Sequence, residues 1–186
     1  MIRRFASLSM IGMVVLAFTS PLSVAEEKAA PPKELVEVLE FYVGDWSVTG
    51  SLGGERLKGK ASFRMPAGKH CTLGTVNCRS KDGPIIFSLV SGWDSSTGWY
   101  TEQGLAVDGG VYSVFWSRVS DTTDAGKQVE TFEGRKVTAV LTMERKSEDE
   151  FVVTCAERTA GDEKLPDLKF VYHRETKDKA KPKARK

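Results

Sequence analysis

From Trp46 to Arg174, apolar and polar residues alternate with a period of two. Successive side chains of a β-strand point to opposite faces, so this pattern marks a run of half-buried strands. Trp46, Val48 and Leu52 alternate with Ser47, Thr49 and Ser51. Leu57, Ala61, Phe63 and Met65 alternate with Lys58, Lys60, Ser62 and Arg64. Further strands are expected over 70–78, 84–93, 98–107, 110–119, 127–133, 135–145, 150–159 and 167–175. Gly53-Gly54, Asp82-Gly83-Pro84, Asp94 to Gly98, Asp108-Gly109-Gly110, Asp121 to Gly126, Ser147-Glu148-Asp149 and Ala160-Gly161-Asp162 separate them. Each separator is turn chemistry: glycine supplies positive φ, and Asp and Ser bond their own backbone. About ten short strands in meander order require an antiparallel sheet, closed into a barrel or folded as a sandwich. No internal repeat is visible, which argues against a propeller or a solenoid.

The pattern before Trp46 differs. Leu35, Val38, Leu39 and Tyr42 recur at helical spacing, so 34–42 reads as a short amphipathic helix ending at Gly44. Residues 26–33 form an Ala- and Pro-rich linker. Residues 1–25 read as a secretory signal peptide. Arg3 and Arg4 are basic, Ser9 to Phe18 is mostly apolar, and Ser23-Val24-Ala25 offers a small-residue cleavage site. The apolar stretch is shorter than the roughly 20 residues that span a bilayer. A secreted or periplasmic location follows as the expectation. Without Arg3 and Arg4 the chain carries 25 basic and 25 acidic residues, and 176–186 alone carries six Lys/Arg and one Asp. A mildly acidic body therefore bears a basic tail, expected to be disordered and suited to anionic envelope surfaces. The balanced charge argues against a nucleic-acid partner.

Gly44-Asp45-Trp46 opens the first strand directly after a helix. This resembles the Gly-x-Trp motif of lipocalins and their calycin relatives, in which the Trp closes one barrel end beneath an Arg of the last strand. Arg174 continues the inward face of Leu168, Phe170 and Tyr172 and matches that Arg. Gly92-Trp93-Asp94-Ser95-Ser96-Thr97 is similar to a turn of secreted bacterial calycin-like domains of unknown function. The resemblance spans roughly 34–175. It implies an all-β fold, an antiparallel calycin-like up-and-down β-barrel of about ten strands with a short N-terminal helix. Some calycin-like barrels hold haem through a His near the C-terminus, which draws attention to His173. Its parity, shared with Lys169 and Glu175, predicts a solvent-facing ring instead, and no cofactor is expected.

No catalytic set emerges. His70 and Cys71 are adjacent on a strand and point to opposite faces, and no C-x-x-C or H-E-x-x-H spacing occurs, so no metal site is expected. Secretion permits a disulfide. By parity Cys71 and Cys155 both point inward and form the preferred bridge, with Cys78–Cys155 the alternative and three buried free thiols an equal reading. Inward parity also assigns Glu157 and Arg174 to a candidate buried ion pair. Glu102, Asp108, Glu130 and Glu133 read as a solvated face. Phe87, Trp93, Trp99, Phe115 and Tyr172 are expected to face inward with Thr101, Gln103, Ser113 and Ser117. Apolar walls with a few polar groups describe a small-molecule pocket, and an ordinary core equally. Strands 84–93 and 110–119 are apolar on both faces, which suggests a homodimer or partner surface. The leading expectation is a non-catalytic binding protein for a small apolar or amphipathic ligand, with an interaction module around a filled barrel as the alternative.

Overall fold

The computed structural model describes residues 30–175. The signal peptide expected over 1–25, the first half of the linker (26–29) and the tail over 176–186 lie outside the described residues. The helix α1 spans Lys33–Tyr42 and buries Leu35, Val38, Leu39 and Tyr42. The strands are β1 Gly44–Leu52, β2 Glu55–Arg64, β3 Cys71–Ser80, β4 Gly83–Asp94, β5 Trp99–Ala106, β6 Val111–Arg118, β7 Thr123–Phe132, β8 Arg135–Ser147, β9 Glu150–Ala160, β10 Glu163–Lys164 and β11 Leu168–Arg174. Each strand from β1 to β9 pairs antiparallel with the next. β11 then pairs with both β9 and β1, and the sheet closes on itself. Closure removes the open edges at which other chains could add a strand.

β10 and β11 run along β9 in one continuous register, Glu163 opposite Ala160 and Leu168 opposite Cys155. They are one strand of the barrel interrupted at Pro166, which has no N–H for the ladder. The barrel is therefore ten-stranded, as the spacing of turns predicts. β7 begins four residues earlier than expected. Asp124 and Gly126 look like turn residues, but Asp124 is buried at the end of the barrel and Gly126 lies beneath an indole.

Helix and barrel are locked together at the helix C-terminus. α1 ends without a glycine cap, and its last carbonyls require partners. The Trp46 indole donates to the Tyr42 carbonyl at 2.9 Å. The Arg174 guanidinium donates to the carbonyls of Val43 and Phe41, each at 2.8 Å, and to that of Glu148 in the β8–β9 turn. Trp46 and Arg174 are direct cross-strand partners, and the guanidinium carbon stands 4.1 Å from the indole centroid. Gly44 has φ +145°, and a Cβ there would lie 2.9 Å from an Arg174 nitrogen. The Gly-Asp-Trp signature thus follows from backbone conformation and from space. Below the lock, Trp46 meets Phe151 edge-on at 4.8 Å, and Phe151 stacks on Tyr172 at 4.2 Å.

The outer wall is uneven. Leu105, Val111, Phe115 and Val119 are exposed on β5, β6 and the loop that follows. Among the described residues, no helix is long and apolar enough to cross a membrane.

Arg174→Ala removes a stacked cation and several charged hydrogen bonds. It is expected to cost about 2–5 kcal/mol, combining roughly 0.5–2 for the stack with about 1.5–3 for hydrogen bonds to a charged group. Urea unfolding checks this. Arg174→Lys should recover less than half, because an ammonium cannot fork across several carbonyls.

Candidate functional site

Inward-facing side chains from most of the barrel leave a cavity of about 270 Å³. Leu39 and Tyr42 of α1 floor it at the locked end, and Leu52, Ala106, Asp108, Glu130 and Leu168 stand at the other. Its walls are mostly apolar, with Phe63, Phe87, Tyr112, Trp116, Phe170 and Tyr172 supplying rings. The space exists partly because three inward strand positions are glycine. Gly74, Gly104 and Gly126 lie directly across the ladder from Phe63, Tyr112 and Trp116. A Cβ at each would fall within 3 Å of the partner ring. Each ring packs over a bare stretch of backbone and covers the glycine.

One carboxyl stands in this apolar space. Glu102 points inward from β5, directly across from Ser91 of β4. The Ser91 hydroxyl donates to Glu102 Oε2 at 3.0 Å, and the Tyr112 hydroxyl donates to Oε1 at 3.2 Å. Tyr112 reaches Glu102 because its ring lies across Gly104, two residues along β5. Thr72, buried beside Ser91 on β3, also lines the cavity. Among the described residues no Lys, Arg or His forms an ion pair with Glu102. Burial pushes its carboxyl up to about 7, and the two hydroxyls offset only part of that rise. The surrounding phenols of Tyr100, Tyr112 and Tyr172 are all raised by burial.

A second polar group sits at the mouth. Between Thr138 and Val140 the β8–β9 register shifts by one, and Glu157 takes φ +52°. This β-bulge reverses the parity of β9 and turns Arg158 into the cavity. The Arg158 Nη1 donates to the Pro166 carbonyl at 2.9 Å. Glu130, also lining the cavity, is raised by burial and held down in part by Arg158. At the locked end, Asp124 lies 3.8 Å from Arg145 and accepts from the Tyr100 hydroxyl at 3.4 Å.

The expected pocket residues divide. Phe87 and Tyr172 line the cavity. Trp93 and Trp99 pack against the core at the locked end, outside the lining, and Arg118 lies 5.2 Å from the Trp99 ring. Gln103 and Phe115 face outward and are exposed, a correction to the expected parity. Both strands carry bulky residues on both faces. On β6 the larger set, Tyr112, Val114 and Trp116, goes inside and carries Phe115 out. On β5 the ladder places Gly104 and Glu102 inside with Leu89 and Ser91, which leaves Gln103 outside. Glu102 and Glu130 therefore leave the expected solvated face, whereas Asp108 and Glu133 are exposed. Glu157 is exposed, because the bulge turned it outward, and it forms no pair with Arg174.

The thiols also differ from the preferred reading. Cys71, Cys78 and Cys155 are all free. Cys71 has the outward parity of β3, beside buried Thr72, whereas Cys155 faces the cavity. A Cys71–Cys155 bridge would have to pass through the barrel wall. Cys78 and Cys155 are both buried, and burial pushes each thiol up to about 11. His173 faces outward, 3.4 Å from Glu150. Among the described residues, no group of three or more His, Cys, Asp or Glu is arranged to hold a metal ion.

No protein-family model matches the sequence, and neither does any curated protein. Solved structures do resemble the fold. The structure of EF1p2_mFAP2b bound to DFHBI aligns with a TM-score of 0.45 and 14% identity over 76% of this chain and 99% of that one. A de novo designed fluorescence-activating β-barrel aligns with a TM-score of 0.45 and 14% identity, covering 74% of this chain and 97% of that one. A redesigned β-barrel, mFAP1, bound to DFHBI, aligns with a TM-score of 0.42 and 16% identity over 76% and 99%.

Glu102 makes stability depend on pH with a definite sign. Its carboxyl ionises near 4.3 in the unfolded chain and about 7 in the folded one. Below pH 4 both states are protonated and burial of the carboxyl carries no ionisation penalty. Between about 4.3 and 7 the unfolded state loses its proton first, so stability falls as pH rises. Asp124 and Glu130 are raised too and act in the same direction. Glu102→Gln should remove the Glu102 share, up to about 4 kcal/mol by the pKa difference. Urea midpoints of both proteins at pH 4.5 and 7.5 measure it.

Proposed function

We propose that this chain is a non-catalytic binding protein of calycin-like form that holds one small apolar or amphipathic molecule inside its barrel. The supporting observation is the cavity of about 270 Å³, walled by rings and floored by α1. A core built only for stability packs to roughly the density of an organic crystal and leaves few voids larger than a water. The volume lies near the lower end of ligand pockets, roughly 300–1,000 Å³. The occupant is therefore small. Calycin kinship is supported by Gly44-Asp45-Trp46 before β1 and by Arg174 stacked on Trp46. The basic, apolar and small-residue pattern of 1–25 supports work outside the cytoplasm, in the periplasm or beyond.

A second reading rests on the outer wall. Leu105 and Val111 are cross-strand neighbours and are 62% and 52% exposed, with Phe115 at 51% further along β6. That face suits a dimer or a protein partner.

Native mass spectrometry of the mature protein from its own compartment tests both readings. A discrete mass lost on denaturation is the expected result. A bare monomer that binds no apolar probe would overturn the binding reading, and a doubled mass would favour the second. Leu89→Trp should fill part of the cavity and weaken binding of an apolar fluorescent probe at least tenfold. Its far-UV circular dichroism should be unchanged.

A further inference from the structure

Building on the binding reading, we infer that the ligand carries a protonated amine on an apolar body and seats that amine against Glu102. The carboxyl stands in an apolar lumen, and among the described residues no cation pairs with it. An ionised carboxylate offers about four lone-pair positions. Ser91 and Tyr112 each fill one. The remaining positions have no donor among the described side chains. An unpaired buried carboxylate is costly unless an opposite charge joins it. A ligand ammonium supplies both the missing charge and the missing donors. The ring faces of Phe87, Tyr112 and Tyr172 also favour a cation over a neutral group. A ligand carboxylate would meet like charge at Glu102 and is disfavoured. At the mouth, Asp108 and Glu130 outnumber Arg158, so the way in is acidic as well.

Other lumenal groups leave this assignment intact. The phenols of Tyr42, Tyr100, Tyr112 and Tyr172 are raised by burial and stay protonated at neutral pH. So do the thiols of Cys78 and Cys155. Asp124 already faces Arg145 and Arg118, and Glu130 faces Arg158. Among the described residues, Glu102 lies within the lumen with no cation beside it, whereas Asp108, also unpaired, stands exposed at the mouth.

The test is calorimetric titration of the whole protein with hexylamine, hexanol and hexanoate at pH 7. These probes share one apolar body and differ in the head. Hexylamine is expected to bind at least tenfold tighter than hexanol, with hexanoate weakest. Binding of the amine should release protons, because it draws Glu102 into the ionised form, and its affinity should rise from pH 5 to pH 8. Titrations in buffers of different ionisation heat read that release. In Glu102→Gln the preference for the amine over hexanol should fall at least tenfold, with an unchanged far-UV circular dichroism spectrum showing that the variant is folded. Equal binding of amine and alcohol by the wild-type protein would overturn the amine assignment and leave the cavity reading standing. Tighter binding of hexanoate would do the same and would point to Arg158. Failure of all three probes at millimolar concentration would overturn the binding reading itself.

Discussion

The fold depends on a single crossing of chain ends. Arg174, on the last strand, reaches the carbonyls that close α1 and stacks on the first indole of the barrel. Trp46 takes the carbonyl between the two that Arg174 holds. Three successive carbonyls at the end of the helix are thus paired by two side chains from opposite ends of the sequence. A charge placed in a barrel end would normally be costly. Here every contact of the guanidinium is a carbonyl, a carboxylate or a ring face, so its position is satisfied. The lock closes the β11–β1 seam, seats the helix as a plug and seals one end of the lumen. The other end is left for access.

The lumen rests on a different use of space. Three inward rings lie over glycines across the ladder, and no side chain rises to meet them. Rings line the wall and leave the centre open. One of those rings carries its hydroxyl to Glu102. The same contact that shapes the wall therefore fixes the orientation of the carboxyl. Polar groups in a lumen are tolerated in proportion to their pairing. Glu102 is paired by two hydroxyls and by no charge, so its ionisation is suppressed near neutral pH. It is a carboxyl held in an apolar wall by hydroxyls alone, and this makes it a place where the lumen can discriminate among ligands.

Much of the architecture was legible from alternation and turns. Strand count, meander order and the helix follow from local patterns, because period, glycine and caps act over a few residues, whereas the Trp46–Arg174 closure was legible only through the resemblance of Gly44-Asp45-Trp46 to a known motif. Parity fails where a strand offers two bulky faces. Val111 and Phe115 oppose Tyr112, Val114 and Trp116, and only the volume available inside decides which set enters. It fails again at Glu157, where a one-residue bulge reverses the strand and exchanges a carboxylate for Arg158. Glu102 escapes a reading by pattern because a charged residue on an alternating strand ordinarily faces water. One signal was present in the chain: Gly104, two residues along, on the same face of the strand.

The sequence alone determined the period, the turns and the residues able to end a helix or tolerate positive φ. These are properties of single residues and their nearest neighbours, and no distant contact is needed to express them. Only the tertiary structure decided which face of β5 and β6 looks inward, where the bulge falls and whether three thiols meet. Those outcomes depend on register across the closed sheet, which couples residues far apart in the chain. The lumen belongs to the second kind. A cavity is set by what opposing strands leave unfilled, and no single strand records it.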